Sequence, residues 1–143
     1  MSIIVIILIL IFVLIWAFLY SPAAPKSFYM YNIESETINN ESYRRVLNTT
    51  PNQQLVLMNI LPHEEIGNEV HPTTTQFIRV ESGKGKAIIN NQEEYILNKD
   101  SAITISPNTY HNIINDGDTP LKLYTIYSPP EHKPNLIQEK NVR

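Results

Sequence analysis

The sequence predicts an all-β domain, a sandwich or barrel, that follows one N-terminal transmembrane helix. Two observations lead to this fold class. Residues 1–25 carry no charged side chain, and every Asp, Glu, Lys and Arg lies from Lys26 onward. From Gln54 on, short β-prone runs alternate with turn residues, without a sustained 3.6-residue period. The roughly 110 residues after the apolar segment are enough for one core.

The first segment, MSIIVIILILIFVLIWAFLY, is apolar except for Ser2. Twenty helical residues cover about 30 Å, the hydrocarbon thickness of a bilayer. We therefore expect a transmembrane anchor over residues 1–20 and a linker over residues 21–28, where two prolines stop the helix. A cleaved signal peptide stays open as an alternative, although the segment has no charged n-region and its apolar run is long. A buried helix is the third alternative.

Charge predicts the topology and excludes one class of partner. The basic residues nearest the apolar segment follow it, which favours a single-pass protein with a cytoplasmic C-terminal domain. With the reverse topology, Asn40 and Asn48 would lie in glycosylation acceptor sequences. The net charge of −3 without a basic stripe argues against a nucleic-acid partner. The absence of cysteine excludes disulfides, thiolate ligands and a cysteine nucleophile.

Eight short runs predict strands, and turn residues such as SGKG, NKD and NDGDTP separate them. Such a series is typical of a sandwich or barrel. The C-terminal stretch SPPEHKPNLIQEKNVR is rich in proline and charge, so we expect an extended tail over the domain surface. The predicted strands cover residues 54–61, 68–72, 76–81, 85–90, 93–98, 101–106, 110–115 and 120–127.

Four polar side chains stand out from this pattern. Residues two apart in a strand share a face, so Glu69 and His71 point the same way. Gln76 alternates with Ile78 and therefore faces the core if Ile78 does. His111 begins a later strand, directly after a turn. These side chains can converge only if the sheet folds back on itself.

The spacing of these residues resembles the two motifs of the cupin superfamily, whose members are small jelly-roll β-barrels. The first motif matches His63, Glu69-x-His71, four residues, Gln76, six residues and Gly83. The second matches Asp100, five residues, Ser106-Pro107-Asn108, two residues, His111, three residues and Asn115. Residues 29–135 resemble single-domain cupins labelled mannose-6-phosphate isomerase-like, which leaves residues 136–143 as a tail. The N-terminal anchor is not part of that resemblance.

The resemblance implies a divalent metal in the barrel. Cupins commonly use three histidines and one glutamate, and the matching positions here hold Glu69, His71, Gln76 and His111. The carboxylate has thus moved to the first position. Two histidines and one carboxylate suit Mn, Fe, Ni or Zn, with Gln76 as a fourth donor or an orienting neighbour. A hydrogen-bonded polar pair in a metal-free barrel is the alternative interpretation of Glu69 and His71.

At three positions this sequence has another residue where the cupin motifs have glycine. These residues are Asn108, Asp100 and His63. Asn tolerates a left-handed conformation best after Gly, so the turn at Asn108 is expected to survive. His63 and His132 are interpreted as exposed histidines of a loop and the tail. The tyrosines at 110, 124 and 127 are interpreted as packing residues.

These observations predict a membrane-anchored single-domain cupin that binds a divalent metal. The expected activity is that of a metal-dependent isomerase or dioxygenase acting on a small oxygenated or sugar-like molecule. The alternative is a non-catalytic module that binds a small molecule or sugar. The expected partners are a small-molecule ligand and the membrane, with no nucleic acid, and a homodimer stays open.

Overall fold

The computed structural model describes residues 3–20 and 28–142. The chain divides into two compact units, Met1–Met30 and Tyr31–Arg143. Most of the predicted linker, residues 21–27, lies outside the described residues. The boundaries predicted at residues 29, 135 and 136 stay predictions.

The first unit contains helix α1, Ile3–Leu19. Its 17 residues span about 26 Å at about 1.5 Å per residue, which is less than the roughly 30 Å of a bilayer core. Among the described residues, no helix has both the length and the apolar character needed to cross a membrane. The expected transmembrane anchor is therefore wrong, and so is the single-pass membrane localisation. The prediction of a cytoplasmic C-terminal domain depended on that anchor and falls with it.

The second unit begins with a short helix and continues as β-structure. Helix α2, Ile33–Asn39, starts at Asn32, whose side chain accepts a hydrogen bond from the backbone N–H of Ser35. The strands are β1 Arg44–Thr49, β2 Gln54–Ile60, β3 Thr75–Ser82, β4 Gly85–Ile89, β5 Glu93–Leu97, β6 Ala102–Ile105, β7 His111–Ile114, β8 Leu121–Ser128 and β9 Ile137–Gln138.

These strands form two antiparallel sheets, which confirms the predicted jelly-roll class. The larger sheet has the order β6-β3-β8-β2-β1-β9, and the smaller one has the order β5-β4-β7. Apolar side chains from both sheets form one core, with Val56, Ile78, Ile113 and Leu123 at most 1% exposed. Strand alternation explains this, since β8 and β3 bury every second residue.

One row of paired residues crosses the larger sheet beside the site. Tyr127 of β8 pairs with Gln54 of β2 and with Gln76 of β3, and Gln76 pairs with Ile105 of β6. Directly paired residues share a face of the sheet. Because all four are buried, the row lies on the inner face. The inner face of this sheet therefore carries two carboxamides and a phenol at one end.

The structure differs from the predicted strands in two places. The run at residues 68–72 is not a strand, and within it only Glu69 forms an isolated bridge, to His111. Pro72 has no backbone N–H for a ladder, which limits pairing there. Strands β1 and β9 were not predicted, and β9 pairs with β1 inside the predicted tail.

The three glycine replacements keep a glycine-like backbone. Asn108 has a φ of 62°, Asp100 of 70° and His63 of 66°. The expectation for Asn108 is confirmed, because it adopts the left-handed conformation that the turn requires. Asp100 and His63 likewise have a positive φ.

Candidate metal centre

Backbone pairing holds Glu69 directly opposite His111. The N–H of each residue donates to the carbonyl of the other at 2.9 Å. His71 lies two residues further along, and its carbonyl accepts a 2.9 Å hydrogen bond from the N–H of Asn108. The loop that precedes β3 is thus fastened to the loop that precedes β7. This fastening brings parts of both sequence motifs to one end of the barrel.

Three of the four predicted ligands converge there. Glu69 Oε1 lies 3.4 Å from His71 Nε2 and 3.5 Å from His111 Nε2. One ligand atom from each of these residues lies within 4.8 Å of the other two, so together they could hold a metal ion. The side chains are well shielded, with 12% of Glu69, 9% of His71 and 1% of His111 exposed.

The outer nitrogens of both imidazoles are already engaged. His111 Nδ1 donates to the carbonyl of Thr109 at 2.9 Å, and His71 Nδ1 lies 3.2 Å from Glu131 Oε1. A carbonyl and a carboxylate oxygen only accept, so in the neutral rings the proton sits on Nδ1. Each Nε2 then presents a lone pair towards Glu69. Both Nε2 atoms are buried and make no hydrogen bond to the described residues.

These distances suit a coordinated ion better than a hydrogen bond. At 3.4 and 3.5 Å, the contacts exceed the usual N–H···O length of about 2.9 Å. Two ligands that each lie about 2.1 Å from a tetrahedral ion are about 3.4 Å apart. The donor set of two imidazoles and one carboxylate also fits a first-row divalent metal. The residues present therefore fit such an ion, and they do not distinguish Mn, Fe, Ni and Zn.

Electrostatics keep Glu69 ionised. Burial alone would raise the pKa of its carboxyl group, but the contacts with His111 and His71 outweigh burial and lower this pKa to about 2. The contact with Glu69 in turn raises the pKa of His71. Without a metal, Glu69 is therefore a carboxylate, and the raised pKa of His71 favours a proton on that imidazole. A divalent cation can replace that proton.

Gln76 lies on β3 and is fully buried. Its Nε2 donates to the hydroxyl of Tyr127 at 3.1 Å, and its Oε1 has no hydrogen-bond partner among the described residues. The ring of Tyr127 stands edge-on to the ring of His71, with 5.6 Å between centroids. Complete burial raises the pKa of Tyr127, so its phenol stays protonated. Gln76 thus has an amide oxygen without a partner among the described residues, and its role as a fourth donor or an orienting neighbour stays a prediction.

Two further residues at the site were missed by sequence reasoning. Glu131 holds His71 and also accepts a 2.9 Å hydrogen bond from Thr74 Oγ1. His132 is half-buried, and its ring stands edge-on to Tyr127 at 5.0 Å. Gln54 fixes its backbone by accepting from the His132 N–H at 2.9 Å and donating to its carbonyl at 2.8 Å. The expectation of an exposed His132 is therefore wrong. Pro129 and Pro130 were an available signal for a rigid return of the chain.

We predict that His132 makes the metal-free protein less stable in mild acid. Burial lowers the pKa of this imidazole from 6.5 to about 4, so between these pH values the unfolded state binds the extra proton. The free energy of unfolding should then fall as the pH drops from 6.5 towards 4. We expect a loss of about 1–2 kcal/mol, which is below the full shift because the ring is partly exposed.

Urea unfolding at several pH values, with a chelator present, measures this loss. His132→Gln should flatten the decline over that interval. In the same interval, the lowered pKa of Glu69 adds to the decline and the raised pKa of His71 opposes it at the upper end, but both groups remain in the variant, so the difference between the two proteins reports on His132. Parallel declines in the wild-type protein and the variant would show that His132 is not responsible.

Comparisons with known proteins agree with this architecture. A family model described as Cupin domain matches residues 56–127. The uncharacterized protein L612 of Acanthamoeba polyphaga mimivirus is 46% identical over 112 residues, which cover 76% of this chain and 70% of L612. The uncharacterized protein YrkC of Bacillus subtilis (strain 168) is 39% identical over 120 residues, which cover 80% of this chain and 64% of YrkC.

A solved structure also matches. The Bacillus halodurans protein BH2720 superposes with a TM-score of 0.77 at 41% sequence identity, and the match covers 82% of this chain and 92% of BH2720. These relatives establish the fold and the family. Their names give no support to the mannose-6-phosphate isomerase-like label.

Proposed function

The chain belongs to the cupin family, and on that premise we propose that it is a metal-dependent enzyme acting on a small molecule. In this proposal a divalent ion is held by Glu69, His71 and His111, with Gln76 as a fourth donor or an orienting neighbour. The reaction class is isomerase or dioxygenase, and the ligand is small and oxygenated or sugar-like.

The observation that carries the proposal is the arrangement of the two imidazoles. Each ring has its Nδ1 held by an acceptor and its Nε2 within 3.5 Å of one Glu69 oxygen. Leaving a buried polar atom without a partner costs about 1–3 kcal/mol, so two such Nε2 atoms side by side call for a ligand that accepts lone pairs. A metal cation is such a ligand.

The residues around the ion have separate tasks. Glu69, ionised at neutral pH, supplies the negative charge, and Glu131 and Thr109 fix the orientation of the two rings. A bound divalent ion supplies a Lewis acid or, for a redox-active metal, an electron-transfer centre. Gln76 cannot move a proton because its amide does not titrate in this range. His132, whose ring stands edge-on to Tyr127, is neutral because burial lowers its pKa to about 4, which makes it a weak proton acceptor.

A second candidate is a non-catalytic module that binds a small molecule or sugar. The neutral Gln76 favours it, because the family's usual carboxylate at that position is absent and the side chain is committed to Tyr127. A metal could then serve only to hold the ligand. The module does not require a metal, and the two candidates differ in turnover.

Metal analysis and turnover assays test the proposal together. The purified protein is stripped with a chelator and titrated calorimetrically with Mn(II), Fe(II), Ni(II) and Zn(II), and we expect about one equivalent to bind and to raise the melting temperature. The loaded protein is then assayed on sugar phosphates and on dioxygenase substrates. Failure of all four metals to bind would contradict the metal-dependent enzyme and leave only a metal-free binding module. Metal binding with ligand affinity and no turnover would select the non-catalytic module.

A further inference from the structure

A groove runs along the open side of the barrel, between two strands that do not pair with each other. Strand β6 is the outer strand of the larger sheet and β5 is the outer strand of the smaller one. The cavity between them has a volume of about 550 Å³. Tyr95, which pairs with the buried Ala87, lies on the face of β5 that is turned towards the other sheet.

One end of the groove lies beside the metal centre. Ile105, a lining residue, pairs directly with Gln76, and Ile89, another lining residue, pairs directly with His111. Thr109 also lines the groove, and its carbonyl accepts the hydrogen bond from His111 Nδ1. Directly paired residues on one face have neighbouring side chains. The groove and the metal centre are therefore neighbours across two strand pairings.

The lining selects the chemistry of such a molecule. None of the described residues that line the groove is charged, and most are aliphatic or hydroxyl-bearing. Glu93 lies next to the groove, where it accepts a 2.6 Å hydrogen bond from the hydroxyl of Tyr95. In the part of the chain that the structure describes, no lysine or arginine lines the groove to pair with a phosphate, and burying an unpaired charge is costly. Exposed apolar surface on Tyr95 and Ile96 instead gains from being covered.

We infer that this groove binds the apolar tail of a ligand whose oxygen-bearing head is held at the metal centre. The inference rests on the proposed function and narrows it. The proposed function leaves two ligand classes open, small oxygenated molecules and sugar-like molecules. The groove favours a neutral oxygenated compound with an aromatic or alkyl group over a sugar phosphate. The groove then provides selectivity for the tail, while the metal holds the head.

Two hydroxamates with the same head test the inference. Acetohydroxamate and benzohydroxamate chelate a metal through the same two oxygens and differ in their tails. With the Zn(II)-loaded protein, we expect benzohydroxamate to bind at least about tenfold more tightly by calorimetry, because its ring leaves water. In Tyr95→Glu this preference should vanish, since a carboxylate then faces the ring. Leu61→Glu is the matched control, because Leu61 is 47% exposed against 49% for Tyr95 and lies outside the groove.

The outcomes separate the inference from the proposed function. Equal affinity for both hydroxamates in the wild-type protein, or a preference that survives Tyr95→Glu, would overturn the groove assignment and leave the metal centre standing. Failure of both hydroxamates to bind to protein that retains its zinc would overturn the groove assignment and the proposal that the ion holds the head of the ligand, while metal binding itself would stand. Light scattering is measured in parallel. A dimer that Tyr95→Glu converts to a monomer would show that a second copy covers the groove, which also contradicts the inference.

Discussion

Replacing His111 with alanine is expected to abolish stoichiometric metal binding. His111 provides one of three converging ligand atoms, and its ring is 1% exposed, so water cannot easily take its place with the same orientation. We expect the affinity for Zn(II) or Mn(II) to fall by more than about 100-fold, since removing even an outer partner of a ligand costs 10–100-fold. Calorimetric titration of the stripped protein measures this loss.

His71→Ala should give the same loss, and His63→Ala is the control. His63 is an exposed histidine of the loop before the site and should leave metal binding unchanged. Circular dichroism of each variant establishes that it is folded, so that a loss of metal is not a loss of structure. Full metal occupancy in folded His111→Ala and His71→Ala would contradict the assignment of these ligands.

Replacing Asn115 with alanine should cause a large loss of stability and leave metal binding by the folded protein unchanged. Its side-chain amide is fully buried and donates to the carbonyls of Ile60 at 2.8 Å and Thr119 at 2.9 Å. Its Oδ1 accepts from the N–H of Gly117 at 3.0 Å. The variant leaves three backbone groups without their partner, so we expect the free energy of unfolding to fall by about 3 kcal/mol.

Chemical and thermal unfolding measure this loss. A change of that size should lower the melting temperature by about 12 °C in a domain of this length. Asn98→Ala is the control, because Asn98 is exposed, and its effect should stay within about 0.5 kcal/mol. A drop below about 1 kcal/mol for Asn115→Ala would mean that water replaces the amide, contrary to its complete burial.

The sequence predicted strands β2 to β8 and missed β1 and β9, for a physical reason. Alternation places Gln76 and Ile78 on one face, and the structure buries both. Strand β1 lacks that signal because it begins with Arg44, which is buried although it is charged. Strand β9 exists only through its pairing with β1, in which Gln138 lies opposite Arg44. Pairing across such a separation is not encoded in local pattern.

The site residues within the two sequence motifs could be predicted from their spacing. The site residues that reach the metal centre only through packing of a distant segment could not. Glu69, His71 and His111 were found from motif spacing, and the structure brings them together. Glu131 and His132 reach the site because the chain after β8 returns to it, which no periodicity announces. The transmembrane anchor was wrongly predicted for a different reason, because α1 is shorter than the apolar run. An apolar run limits where a helix can lie, but the residue at which the helix ends depends on local geometry.

Anomalous diffraction at the metal edge is the most direct test of the central claim, which is that Glu69, His71 and His111 bind one divalent ion. Crystals are grown from protein loaded with one equivalent of Zn(II) and measured on both sides of its absorption edge. We expect one anomalous peak per chain, about 2.0–2.2 Å from Glu69 Oε1, His71 Nε2 and His111 Nε2. A peak elsewhere on the chain, or no peak from protein that retains its zinc, would contradict this claim.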